Sequence, residues 1–167
     1  MTTAFALRCL AQNKIEPELI GQLHHEVIGG VDLQVVWPGT IIKGQGSDPN
    51  NASIAIIATV GGHNLFLAGD LEPAAQAAIL ESWPVPSVDV LKVAHHGSSH
   101  QLPQLIERLE PRDAVISVGR DNDYGHPALE TIALLNAVGA RVWRTDLQGA
   151  LAVIEQGNSW VYQVDTI

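Results

Sequence analysis

Two stretches constrain this chain more than any others: Leu65-Phe66-Leu67-Ala68-Gly69-Asp70-Leu71-Glu72 and Val88-Asp89-Val90-Leu91-Lys92-Val93-Ala94-His95-His96-Gly97-Ser98. In each, an apolar run stops abruptly at residues suited to metal ligation or acid–base work. That pattern fits a sheet with buried strands whose chemical groups stand just past the strand ends and face a cleft. A third run, Val115-Ile116-Ser117-Val118, leads through Asn122 to Tyr124-Gly125-His126-Pro127. One carboxylate, Asp70, and three histidines, His95, His96 and His126, therefore fall at three neighbouring strand ends. Such a set suits metal-assisted hydrolysis.

The 167 residues suit one domain with a core of its own. A hydrophobic content of 46% argues against disorder. No apolar run reaches membrane-spanning length, and residues 1–8 do not match a signal peptide. Cys9 is the single cysteine, which excludes an internal disulfide and a cysteine-based metal cage. The net charge of −9 argues against a protein that coats nucleic acid, where phosphate neutralisation dominates binding. It leaves a nuclease open, because bound divalent cations reverse the local field.

Local patterning predicts a short helix over residues 5–13, a turn at Gly29-Gly30, a strand over 31–37 and a loop over 44–51. Strands over 53–60 and 63–68 flank Gly61-Gly62 as a hairpin. An Ala-rich helix over 72–83 follows, with Glu72 in its first turn, where the helix dipole favours a carboxylate. Further on come a strand over 88–94, a helix over 103–109, a strand over 114–118 and a helix over 127–138 closed by Gly139. Strands over 141–144, 150–154 and 160–164 close the chain, with a turn at 156–158. There is no internal repeat, low-complexity tract or linker. Alternating strand and helix in the middle, with hairpins at both ends, predicts a layered α/β domain with a mixed sheet.

Each candidate residue has a bland reading beside the chemical one. Asp70 can hold cations or cap a helix, and Glu72 can face the cleft or serve the dipole. His95 and His96, adjacent on an extended segment, point opposite ways, so one faces the cleft and the other supports it from below. Gly97 then permits a sharp turn. His126 is a neutral imidazole ligand or a turn histidine. His24, His25, His63 and His100 read as surface residues, and Trp37, Trp83, Trp143 and Trp160 as packing residues. There is no phosphate loop and no Gly-x-Ser-x-Gly elbow.

The order and spacing of these segments resemble the metallo-β-lactamase superfamily, in particular the hydrolase domain at the C-terminus of ComEC-type competence proteins. The resemblance rests on residues 48–53, Gly69-Asp70-Leu71-Glu72, residues 89–98, residues 116–127 and Arg144-Thr145-Asp146 with Gly149-Ala150. It implies an αββα sandwich of two similar halves, with zinc or manganese between them. By it, Asp70 is the bridging carboxylate and His126 the final metal-binding histidine. His95 and His96 are a pair against the substrate phosphate, and Glu72 lies at the mouth of the site. The implied reaction is phosphodiester hydrolysis of nuclease type on DNA during competence uptake. A small-molecule or lipid-headgroup phosphodiester is the alternative substrate.

The family's first-half motif, His-x-[His/Asp]-x-Asp-His, is absent, and Ser99-His100-Gln101 replaces a Lys-Thr-Ser-like run. The expectation is therefore a C-terminal half, residues 1–167, that is a fragment of a hydrolase or an inactive structural module. Asp70 and His126 alone fall short of the three protein ligands that zinc normally takes. A lone half exposes the sheet face its partner would cover, which predicts a homo-oligomer packed sheet to sheet. The family domain is tethered to the cytoplasmic membrane and works outside it.

Overall fold

The computed structural model describes residues 21–156 and 159–165. The helix expected over 5–13, Cys9 and part of the turn at 156–158 lie outside the described residues.

Paired glycines set the first four strands. Gly29 and Gly30 (φ +59° and +86°) turn β1 (His25–Ile28) into β2 (Val31–Trp37). Positive φ at both turn positions matches the twist of the flanking strands, and glycine adopts it without a Cβ clash. The loop expected over 44–51 ends in a single helical turn, α1 (Asp48–Asn51), because the Ser47 side chain caps it by accepting from the Asn50 amide. Gly61 and Gly62 (φ +56° and +83°) then join β3 (Ala55–Val60) to β4 (His63–Leu67), with Val60 opposite His63.

After β4 the connections lengthen and the sheet changes character. Helix α2 (Pro73–Ser82) leads to β5 (Val90–Lys92), α3 (Pro103–Leu109) to β6 (Asp113–Ile116), and α4 (Leu129–Ala137) to β7 (Arg141–Arg144). These strands add in parallel, giving one seven-stranded sheet in the order β1 to β7. A short helix, α5 (Thr145–Gln148), follows. Among the described residues the last two strands, β8 (Ala150–Gln156) and β9 (Ser159–Asp165), pair only with each other, so just one of the three expected closing strands belongs to the main sheet. The architecture is the α/β class with a mixed sheet.

The helices gather on one face of the sheet. Phe66, Leu91 and Ala114 stand in register across β4, β5 and β6 and are almost fully buried. They share a core with Ile79 of α2, Leu105, Ile106 and Leu109 of α3, and Leu135 of α4. Burial of each large apolar side chain is worth roughly 1.5–3 kcal/mol. The opposite face carries Leu67, Lys92, Val115 and Trp143 in register, and these are half-buried or exposed. Trp37 is buried with its indole N–H on the Asn51 carbonyl, consistent with a packing role.

Candidate functional site

The parallel strands all end on the same side, where an open α/β sheet offers its cleft. Gly69, past β4, has φ +55°, and a Cβ there would lie 2.9 Å from the Ser53 Cβ. The missing side chain lets the chain fold down onto Ser53, whose hydroxyl accepts from the Asp70 amide at 3.2 Å. The Gly69 carbonyl then takes two donors from the neighbouring strand end: the Lys92 ammonium at 2.9 Å and the His95 amide at 3.1 Å.

The strand expected over 88–94 is shorter, and the segment after it is not extended. His95 and His96 have φ of +48° and +54°, a left-handed turn. For side chains with a Cβ this is strained by about 1–2 kcal/mol per residue, and such strain gathers at functional sites. Gly97 (φ +77°) closes the turn against Pro127 and Ile116, and its carbonyl accepts from the Ala128 amide at 2.8 Å. The two imidazoles still diverge, but because of this turn and not because of strand alternation.

His96 joins Asp70. Its Nδ1 donates to the Ser117 carbonyl at 2.7 Å, which leaves Nε2 unprotonated in the neutral ring, 3.7 Å from Asp70 Oδ1. Lys92 Nζ stands 3.9 Å from the same oxygen. Burial holds the Lys92 ammonium below its ordinary pKa, and the Asp70 charge opposes that shift. Asp70 does not cap α2; that position belongs to Glu72, whose side chain makes no capping bond.

His95 instead faces Glu72, with Nδ1 3.9 Å from Oε1. The Glu72 carboxylate is buried and held from two sides, by the Ser47 amide at 3.2 Å and by Asn50 Nδ2 at 3.3 Å. His100 Nδ1 is 3.7 Å from Glu72 Oε1, so a residue that reads as surface in the sequence stands in the site. The buried Gln76 of α2 brings it there, donating to the His100 carbonyl at 3.2 Å and accepting from the Leu102 amide at 2.8 Å. No local sequence signal marks His100, whose place depends on Gln76 reaching across from α2.

His126 approaches from the loop after β6, its ring centroid 5.6 Å from that of His95. Asn122 brackets it, accepting from its amide at 3.1 Å and donating to its carbonyl at 2.8 Å. Desolvation, then the charges of His95, His96 and His100, push the His126 pKa down, which favours the neutral ligand form. Tyr124 stacks over it at 6.1 Å. His25 and His63 lie elsewhere, on Asp32 and Asp89.

The donors fit a metal. Among the described residues, the ligand atoms of Glu72, His95 and His100 all lie within 4.8 Å of one another; Asp70 and His126 are not members of that group. The His95 Nδ1 is buried without a hydrogen-bond partner, and a carboxylate with two imidazoles suits a transition-metal ion.

The fold is that of a Parabacteroides distasonis protein described provisionally as a metal-dependent hydrolase, with a TM-score of 0.52, 16% identity, and coverage of 83% of this chain and 62% of that one. In sequence the chain is similar to competence proteins. ComE operon protein 3 of Bacillus subtilis is 36% identical over 115 residues, 66% of this chain and 15% of that protein. Competence protein ComA of Neisseria gonorrhoeae is 30% identical over 124 residues, 73% of this chain and 18% of that protein. The chain thus spans less than a fifth of the length of the competence proteins it matches. No protein-family model matches it.

Proposed function

We propose that this chain is part of a metal-dependent phosphodiester hydrolase of nuclease type, the C-terminal half of a metallo-β-lactamase-like domain, serving competence-associated DNA uptake. The observation that carries the reading is the gathering of Asp70, Lys92 and His96 at the ends of β4 and β5, with His126 arriving from the end of β6. The similarity to competence proteins supports DNA as the substrate.

Asp70 and His126 would hold zinc or manganese in this reading. A bound ion supplies hydroxide at neutral pH and polarises the phosphorus–oxygen bond. His96 has its proton fixed on Nδ1 by the Ser117 carbonyl, so Nε2 can accept a proton at the reacting phosphate or orient the nucleophile. Lys92 places a cation beside Asp70, where a phosphate would carry its charge. His95 and Glu72 bound the other side of the pair. A second copy would cover the sheet face bearing Leu67, and the domain would act outside the cytoplasmic membrane. No helix among the described residues is long and apolar enough to cross a membrane.

The test is turnover of bis(p-nitrophenyl) phosphate and of single- and double-stranded DNA with added manganese or zinc. The expected result is chelator-sensitive cleavage that falls about 100-fold in His96→Ala. Cleavage of the small ester without DNA would shift the substrate to a small-molecule phosphodiester. Metal bound with no turnover of any substrate would leave a non-catalytic module.

A further inference from the structure

We infer that Glu72, His95 and His100 form a self-contained site for a divalent transition-metal ion of the zinc class, separate from the Asp70 and His126 pair. The inference does not depend on the phosphodiesterase reading. Three observations converge on it. The donor atoms are already assembled, with Glu72 Oε1 lying 3.9 Å from His95 Nδ1 and 3.7 Å from His100 Nδ1. Around tetrahedral zinc such atoms stand about 3.3 Å apart, and all three donors already lie within 4.8 Å of one another, so a small closure completes the set. Second, the His95 Nδ1 is buried and has no hydrogen-bond partner, although it points at a carboxylate. An unpaired buried nitrogen costs stability unless a ligand satisfies it. Third, the carboxylate and the His100 loop are held from outside the donor set. Ser47 and Asn50 fix Glu72, and Gln76 fixes the His100 carbonyl. Supporting contacts of this kind orient metal ligands.

Access and coordination number agree. A cavity of about 510 Å³ lined by Gln45, Gly46, Glu72, Pro73, Ala74 and His100 opens directly on the cluster. Three protein ligands leave a fourth position facing that cavity, where water or an anion can bind. Gly46 (φ +84°) is required beside it, because a Cβ would collide with Glu72 Oε2.

The experiment is zinc and cobalt(II) titration of the whole chain purified without chelators, followed by competition with a chromophoric chelator and by the cobalt visible spectrum. Expected is one ion per chain with the intense bands of low-coordinate cobalt. His100→Ala, an exposed loop change that spares the core, should weaken binding at least about tenfold. Glu72→Gln should do the same, with circular dichroism to confirm folding, and His25→Ala should leave affinity unchanged. No binding, affinity unchanged in His100→Ala, or a loss seen in Asp70→Ala instead of His100→Ala would each overturn the inference. Bound metal without phosphodiester turnover would leave this site standing while the hydrolase reading fails.

Discussion

The Asp70 group and the Glu72 group share one left-handed turn but are built to different specifications. Asp70 and His96 are 39% and 47% exposed, and the Asp70 backbone amide, not its carboxylate, bonds the Ser53 hydroxyl. Glu72 is 8% exposed at its side chain and takes hydrogen bonds from the 44–51 loop region on both oxygens. An open carboxylate can meet a large substrate and change partners. A carboxylate locked from two sides keeps its position and suits a resident ion. The turn at residues 94–97 assigns one histidine to each group, so its geometry holds the two apart.

The strongest way to break that division is Gly97→Ala. The added Cβ would sit 2.7 Å from the Pro127 Cβ and 3.2 Å from Ile116 Cγ2, at a φ of +77°. Backbone strain and overpacking together should cost roughly 2–4 kcal/mol. Urea denaturation should show the loss, and metal affinity and His96-dependent turnover should fall together. If one survived intact, the shared turn would not be what aligns both groups.

Much of this was legible in the sequence because strand ends have a strong signature. The abrupt stops after Ala68 and Ala94 fall within two residues of the observed strand ends at Leu67 and Lys92, and the glycine pairs at 29–30 and 61–62 locate the hairpins. His100 was not legible. Nothing local distinguishes a histidine in a polar loop from a solvated one, and its place depends on a buried Gln76 reaching across from α2. The left-handed His95 and His96 were hidden for a related reason. L-residues rarely adopt that conformation, so an extended reading is the default, and only tertiary contacts at Gly97 and Gly69 override it. The last hairpin pairs apart from the main sheet, which strand patterning alone does not reveal.

A second pair of variants sharpens the comparison. Glu72→Ala strips the acceptor from the Ser47 amide and from Asn50, leaving part-buried donors without partners. A loss of about 1–3 kcal/mol is expected. Asp70→Ala removes a part-exposed carboxylate whose nearest side-chain nitrogens, on His96 and Lys92, are 3.7 Å and 3.9 Å away, and should change stability by less than about 0.5 kcal/mol. Thermal unfolding of both without added metal would check this. Equal losses would show that Asp70 is as much a structural residue as Glu72.

The smallest effect should come from the edge of the cleft beyond both groups. At the end of β7, Arg144 Nε donates to Asp146 Oδ1 at 3.0 Å and its Nη2 donates to the other oxygen. That guanidinium holds the Asp146 carboxyl below its ordinary pKa. Because the folded pKa is depressed, the pair stabilises fully above the unfolded carboxyl pKa of about 4 and fades as pH falls through the lower folded value. Asp146→Asn should therefore cost about 0.5 kcal/mol at neutral pH, the range of a partly exposed ion pair, and less as the solution is acidified. The neighbouring Thr145 hydroxyl independently anchors the loop toward His126 by bonding the Val118 amide and carbonyl, both at 2.7 Å. Metal affinity should then be unchanged in Asp146→Asn. A drop in affinity would mean that the β7 end, and not the turn at residues 94–97 alone, sets the spacing between the two groups.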